Sequence, residues 1–314
     1  MIPDDPTTEE AFLAFASSVR ESGYAFTTVT PATHARVNRR PEKAWARSLR
    51  DVLGWSRPFR ADLLAPALLD LMRRAGAAVP DGDGLRPTIR LSSLDGETFL
   101  HSAYPPLAAD AVFFGPDTMR FVQAVLAHLA TRAGPVSRAV DIGCGTGAAG
   151  IAIAKRVPEA EVVLVDINGA ALRAAALNAR LAGVRVQLRR SDLLAEVEGR
   201  FDLIVSNPPF MMDAAKRAYR DGGGPYGASL SLAVVEAAAD RLAPGGTLVL
   251  FTGAAIVEGE DVFRREAAER CGRAGLDWTY REVDPDAYGE ELDGPAYAEV
   301  ERIALVVLTA TRPA

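Results

Sequence analysis

Before residue 110 the apolar positions fall in short bursts at helical spacing. Phe12, Phe15 and Val19 share one face of a helix predicted over Ala11–Arg20. Pro41 can open a second helix, because the N–H it lacks would have no partner in a first turn. Trp45, Leu49 and Leu53 then recur every fourth residue. A third helix is predicted over Ala61–Ala75, stopped by Gly76. A Pro/Gly/Asp loop follows at Val79–Gly84, and Pro87–Leu91 and Thr98–Ser102 read as two strands around an Asp95-Gly96 turn. From Val136 the rhythm changes. Apolar runs at 138–142, 161–166, 184–189, 203–206 and 246–252 alternate with helical stretches at 147–156, 170–182, 229–242 and 260–275. Trp278–Glu282 and Ile303–Thr309 form a final pair of strands. Strand–helix alternation predicts an α/β fold, a parallel sheet wrapped on both faces, with ligands bound by the loops after the strands. The predicted division is a helical and hairpin unit over residues 1–110, serving substrate recognition, and an α/β domain over 111–314.

Composition narrows the class. A chain of 314 residues suits two domains, and 49% hydrophobic with 24% charged residues excludes disorder throughout. A net charge of -6 argues against a chain that is basic throughout and built to coat nucleic acid. Two cysteines, Cys144 and Cys271, exclude a disulfide scaffold and point to a reducing compartment. No apolar run approaches the ~18 residues that a membrane helix needs. Met1–Asp5 lacks the basic-then-apolar order of a leader, so a cytoplasmic protein without a membrane partner is expected. Of 35 basic residues 32 are arginine, a bias that lowers the weight of arginine enrichment taken alone. Residues 35–60 still carry eight basic against two acidic residues, with Trp55 and Phe59 among them. That stretch reads either as a solvated helix face, which the shortness of the patch favours, or as a contact for RNA phosphates.

Chemistry enters at Asp141-Ile142-Gly143-Cys144-Gly145-Thr146-Gly147, where a strand runs through three glycines into a helix. Glycine there permits positive φ and close approach of a ligand to the backbone. Asp141, before the glycines, can take up a cationic group. Asp166 ends the next strand, at a spacing that suits a carboxylate gripping ribose hydroxyls. Asp192 can accept from an exocyclic amine of a base, between Ile167 and Leu193 as apolar walls. The same loop also contains Gly145, Gly147 and Gly150 in the G-x-G-x-x-G order of dinucleotide binding, so a nicotinamide oxidoreductase stands as a rival.

The two readings part at the fourth strand, which ends in Asn207-Pro208-Pro209-Phe210. Two prolines stiffen the turn and remove two donors. The Asn207 amide oxygen and the Pro208 carbonyl can then hold both hydrogens of a planar NH₂ group, with Phe210 against its π-face. A conjugated nitrogen is a poor nucleophile. Hydrogen bonds to both its N–H groups favour a pyramidal nitrogen and free the lone pair, and the fixed acceptors stabilise the charge that develops. An oxidoreductase would need a proton-relay residue here, where the chain has prolines.

These residues resemble the motifs of class I S-adenosylmethionine-dependent methyltransferases, and within them the amino-methyltransferases with an Asn-Pro-Pro-aromatic signature. The resemblance covers residues 110–310 and implies a seven-stranded Rossmann-like sheet whose last strand is antiparallel. It implies that Asp141 with Gly143, Gly145 and Gly147 approaches the amino-acid part of the cofactor. Asp166 and Ile167 would serve the ribose side, Asp192 and Leu193 the adenine, and Asn207 would stand between methyl donor and acceptor. Phe113-Phe114-Gly115-Pro116-Asp117-Thr118 is similar to a roof segment of release-factor glutamine methyltransferases, which places Phe114 and Thr118 with Pro209 and Phe210 at the substrate. Arg220–Gly224, Gly227 and Leu230 resemble a glycine stretch of the same enzymes, past which a substrate segment would run. Those enzymes usually carry tyrosine where this chain has Phe210, a form also found in ribosomal-RNA guanine-N2 methyltransferases. The expected acceptor is therefore a protein glutamine side chain, as in a translation factor, with an RNA base amine as the alternative. His34, His101 and His128 lack metal-ligand spacing, and no metal is expected. Cys144 reads as a packing residue. Lys216, Arg217, Arg220 and Glu290–Asp293 stand near the site without an assigned role.

Overall fold

A computed structural model describes residues 5–217 and 219–314; the first four residues, on which part of the leader argument rests, lie outside it. Helix α1 (Pro6–Glu21) starts earlier than its apolar stripe, because the Asp5 carboxylate accepts from the Thr7 and Thr8 N–H groups and Pro6 occupies the first turn. The long helix expected from Pro41 does not form. The chain instead makes α2 (Pro31–Asn38), a 3₁₀ turn at Pro41–Lys43 and a short α3 (Leu49–Leu53). The Ser48 side chain accepts from the Asp51 N–H, so it caps a new helix in the middle of the expected one. Helix α4 (Pro66–Arg74) is likewise shorter than the 61–75 stretch, since Pro66 fits a first turn and not a helix interior.

The segment read as a loop at 79–84 is a hairpin of β1 (Ala78–Asp81) and β2 (Gly84–Pro87). A second hairpin, β3 (Ile89–Leu94) and β4 (Glu97–Ser102), turns at Asp95 and Gly96 as expected, both with positive φ. Helix α5 (Pro116–Thr131), which the periodicity did not single out, leads into the α/β part.

There the order is β5 (Arg138–Ile142), α6 (Ala148–Arg156), β6 (Glu161–Asp166), α7 (Gly169–Ala182), β7 (Gln187–Arg190) and β8 (Phe201–Ser206). Next come α8 (Ser229–Arg241), β9 (Leu242–Val257), β10 (Glu260–Asp261), α9 (Val262–Arg273), β11 (Asp277–Asp284) and β12 (Arg302–Thr311). The main sheet runs β11-β12-β9-β8-β5-β6-β7, with β10 added against β9. Strands β7, β6, β5, β8 and β9 are parallel, and β12 lies antiparallel between β9 and β11. This is the seven-stranded arrangement with an antiparallel last strand. Apolar clusters fill both faces, one under α5 and α6, the other under α8 and α9. The order reverses around β5 and β8, so the loops after these strands flank the crevice that such a switch point opens.

The N-terminal elements share a core with the α/β part. Phe12, Phe15, Met72 and Leu100 pack in one cluster with Ala170, Ala171, Ala174 and Leu177 of α7. Asn178, fully buried on the same helix, accepts from the Leu100 N–H at 2.7 Å and donates to the carbonyls of Leu100 at 3.1 Å and Thr146 at 2.9 Å. One amide thus ties strand β4 to the glycine loop. No helix of the described residues is long and apolar enough to cross a membrane.

A candidate methyl-transfer crevice

The glycine loop gets its shape from two kinds of glycine. Gly143 and Gly145 have φ of 66° and 53°, and a Cβ on either would meet nothing within 4 Å. They serve the left-handed backbone and leave open space beside it. Gly150 is a packing glycine, since a Cβ would come within 2.0 Å of Leu164, and Gly147 is of both kinds, with φ 76° and a Cβ 3.0 Å from Ala175. The G-x-G-x-x-G order therefore has a cause in left-handed backbone at its first two glycines and in seating α6 on β6 and α7 at its last two.

Two acids fix this loop. Asp166, at the end of β6, accepts from the Gly145 N–H and the Asn168 N–H, each at 2.9 Å, and burial raises its carboxyl above the usual range. Asp141 is 1% exposed. One oxygen accepts from the Gly150 N–H at 3.0 Å, and the other has no partner among the described residues. Burial, opposed by that bond and helped by the nearby Asp166, pushes its carboxyl up to about 7. Asp141 lies beneath the loop and does not line the crevice, which corrects the expectation that it meets a ligand directly.

The crevice encloses about 1430 Å³, the solvent at its mouth included. Its lining brings together Gly143, Gly145, Asp166, Ile167, Asp192 and Leu193 with Asn207, Pro208, Pro209, Phe210 and Thr118, and Gly143 and Asn207 leave the paired tips of β5 and β8 side by side. Ile167 is 54% exposed, a large apolar side chain left open beside Asp166. Beside the glycine loop the Ser206 hydroxyl donates to the Ile142 carbonyl at 2.8 Å, which locks the tips of β8 and β5 together. Asn207 follows, and its buried amide oxygen has no hydrogen-bond partner among the described residues. Such an orphan is costly unless a ligand supplies the donor.

Phe210 is mostly buried, packed against the Gly253 backbone and edge-on to Tyr288 at 5.9 Å between centroids. Thr118 lines the crevice while its hydroxyl accepts from the Gly115 N–H at 3.2 Å, closing the first turn of α5. Phe114 does not reach the crevice. It is 1% exposed, stacked between Phe99 and His101, and its neighbour Phe113 takes the place at the wall beside Tyr219. The chain is extended enough at 113–114 for successive side chains to point apart, and the more deeply packed ring goes to the core.

The glycine stretch after the turn is also reassigned. A Cβ on Gly222 would lie 2.0 Å from the Gly227 carbonyl and 2.7 Å from that of Pro209, and one on Gly227 would lie 2.2 Å from that of Phe210. Those glycines let the stretch seat against the Pro-Pro turn, so they clamp the turn and leave no passage for a substrate segment at these two positions. Asp213 holds Arg217 through two bonds of 2.8 and 2.6 Å, which pulls its carboxyl down to about 2. Arg220 pairs with Glu291 at 2.5 Å. Burial pushes the Cys144 thiol well up, away from the reactive thiolate. Among the described residues no group of three His, Cys, Asp or Glu side chains is arranged to hold a metal.

The basic stretch is no single helix face. Arg57 is buried on Asp51 and Asn38, and Arg60 lies over the Trp45 ring at 4.0 Å, while Arg36, Arg39, Arg40, Arg47 and Arg50 remain exposed. Residues that periodicity missed also line the crevice: Pro31, Asp117 and Tyr288. Only Asp117 left a trace, inside the roof segment.

Comparison with known proteins follows the same division. The family model described as "Methyltransferase small domain" matches residues 111–258. A release factor glutamine methyltransferase of Deinococcus radiodurans is 38% identical over 124 residues, covering 36% of this chain and 44% of that protein. One from Koribacter versatilis is 33% identical over 187 residues, 55% of this chain and 62% of that protein. A ribosomal RNA small subunit methyltransferase C of Haemophilus influenzae is 41% identical over 83 residues, 26% of this chain and 25% of that protein. The chain thus spans between a quarter and about three-fifths of the length of these curated relatives. Residues 111–258, a little under half of the chain, thus match the methyltransferase small-domain family, and the methyltransferase likeness implies S-adenosylmethionine as the methyl donor.

Proposed function

We propose that this protein transfers a methyl group from S-adenosylmethionine to a planar nitrogen, and that its acceptor is the side-chain amide of a protein glutamine. The observation that carries the reading is the unpartnered, buried Asn207 oxygen, held on a proline-stiffened turn beside the glycine loop in the same crevice. An acceptor oxygen kept without a donor is one prepared for an N–H from outside the chain.

The residues present fit the donor. Gly143 and Gly145 leave an open cradle, two acids stand at the loop, and Ile167 and Leu193 offer apolar walls to a base. Asp166 would hold the ribose hydroxyls and Asp192 the adenine amine; Asp141, from beneath the loop, would favour a cationic amino-acid arm through its field. When bound, S-adenosylmethionine supplies an electrophilic methyl group carried on a sulfonium. The protein's part is orientation. Asn207 and the Pro208 carbonyl take the two hydrogens of the acceptor NH₂, which localises its lone pair, and Phe210 backs the turn. After transfer, the same oxygens stabilise the positive charge until a proton leaves to solvent.

Glutamine is preferred because the release-factor relatives align over the longer stretches. An RNA base amine is favoured by one separate observation, the five exposed arginines on α2, α3 and the segment between them. Radiolabelled methyl transfer into a cell extract, split between protease and RNase treatment, tests both. Label lost with protease supports the glutamine reading; label lost with RNase overturns it in favour of the base, and no label in either overturns the activity.

A further inference from the structure

The connection between β11 and β12, residues 285–301, is far longer than the roughly two to five residues an ordinary hairpin uses. It is pinned across the acceptor wall of the crevice. Arg120 of α5 bonds Asp284, the last residue of β11 from which the connection starts, at 2.9 Å; within the connection Arg220 bonds Glu291 at 2.5 Å, and the Met212 N–H donates to the Tyr297 hydroxyl at 2.8 Å. These anchors come from α5, from the glycine stretch and from the residues after the Pro-Pro turn. Among the described residues, Tyr288 is the one member of this connection that lines the crevice.

Tyr288 is held at three points. Its backbone is left-handed, with φ 61° and ψ 35°, a conformation that costs a non-glycine residue energy and collects at functional sites. Its ring meets the edge of Phe210, three residues after Asn207. Its hydroxyl donates to the Asp117 carboxylate, which is 7% exposed in the first turn of α5. A phenol whose proton is committed to a carboxylate has only lone pairs left to offer. Asn207, which lines the same crevice, offers an unpartnered oxygen.

Resting on the function proposed above, we infer that Tyr288 is a further acceptor-positioning residue: its oxygen, turned toward lone-pair donation by Asp117, completes with Asn207 a row of acceptors for the N–H edge of the methylated group. Asp117 acts through Tyr288 and is itself a positioning residue. The row explains why the connection is so long and so firmly anchored, since a wall that sets the angle of a planar group must not drift.

The experiment measures labelled methyl transfer as a function of extract concentration, with S-adenosylhomocysteine binding followed separately by calorimetry. Tyr288→Phe keeps the ring and removes the oxygen. It should raise the extract concentration for half-saturation about three- to tenfold, the span of one neutral hydrogen bond, with S-adenosylhomocysteine affinity within about twofold of wild type. Asp117→Asn retains an oxygen that accepts from the phenol and should restore half-saturation to near the wild-type value. The double variant Asp117→Leu/Tyr288→Phe leaves no orphaned buried group and should match the single phenylalanine variant. Unchanged half-saturation in both phenylalanine variants, beside a labelling wild type, would overturn this inference alone, whatever their unfolding midpoints. A wild type that binds S-adenosylhomocysteine and labels nothing overturns the function on which it rests.

Discussion

Two neighbouring walls of the crevice are built on different plans. At the glycine loop, carboxylates accept from backbone N–H groups close by in the chain: Asp166 takes two, and Asp141 takes one on one of its two oxygens. At the Pro-Pro turn the Asn207 amide oxygen has no donor among the described residues, and the wall is assembled from α5, the turn and the β11–β12 connection. The first wall is a preformed negative cradle whose shape survives without a ligand. The second keeps an acceptor waiting for an N–H group, and it costs stability until that acceptor is filled. A cofactor common to a family can be held by a short local motif. An acceptor that differs between members is met by elements brought from far along the chain.

The contrast can be broken most directly at Asn207. Asn207→Ala should lower single-turnover methyl transfer by about a hundredfold or more, the size expected for one preorganised hydrogen-bonding group. S-adenosylhomocysteine binding should stay unchanged by calorimetry; equal losses in both would merge the two walls into one. Asp166→Ala addresses the other wall. It removes a charged acceptor and orphans the Gly145 and Asn168 N–H groups, so S-adenosylhomocysteine affinity should fall about 10- to 100-fold. Binding of NADH in its place would contradict the donor assignment.

The glycines sharpen the comparison in thermal unfolding. Gly222→Ala drives a methyl into two carbonyls of the acceptor turn and should cost about 1–3 kcal/mol. Gly143→Ala meets open space and should cost about 1–2 kcal/mol, from its positive φ alone. The reverse order would mean that the clamp on the Pro-Pro turn is not tight.

The smallest effect is one of pH. The Asp141 carboxyl, raised to about 7 in the fold, binds its proton more firmly there than in the unfolded chain. Its contribution to stability is therefore full at low pH and is lost as pH rises from about 4 through 7. A cationic ligand favours the ionised form, so S-adenosylmethionine affinity should climb over the same range and level off above it. Because Asp141 lies beneath the loop, the climb should be shallower than the tenfold per pH unit of a direct contact, which is about the limit for one proton. Calorimetry between pH 6 and 8 measures it, and a flat profile would remove Asp141 from the binding wall.

The sequence by itself determined the α/β order and the glycine loop with its acids. Each of these depends on neighbours a few residues apart, where spacing and side-chain type fix the backbone. The same holds for the Asn-Pro-Pro-Phe turn, whose stiffness is covalent. Tertiary structure alone decided the rest. Phe113 and Phe114 are adjacent and chemically alike, and only the packing of Phe99 and His101 sends one to the core and leaves the other at the wall. Tyr288 lies 171 residues from Asp117, and no pattern along the chain announces a contact across that span. Gly222 and Gly227 looked like a flexible passage because a glycine's backbone freedom is visible in sequence, while the carbonyls that forbid a side chain there come from elsewhere in the fold.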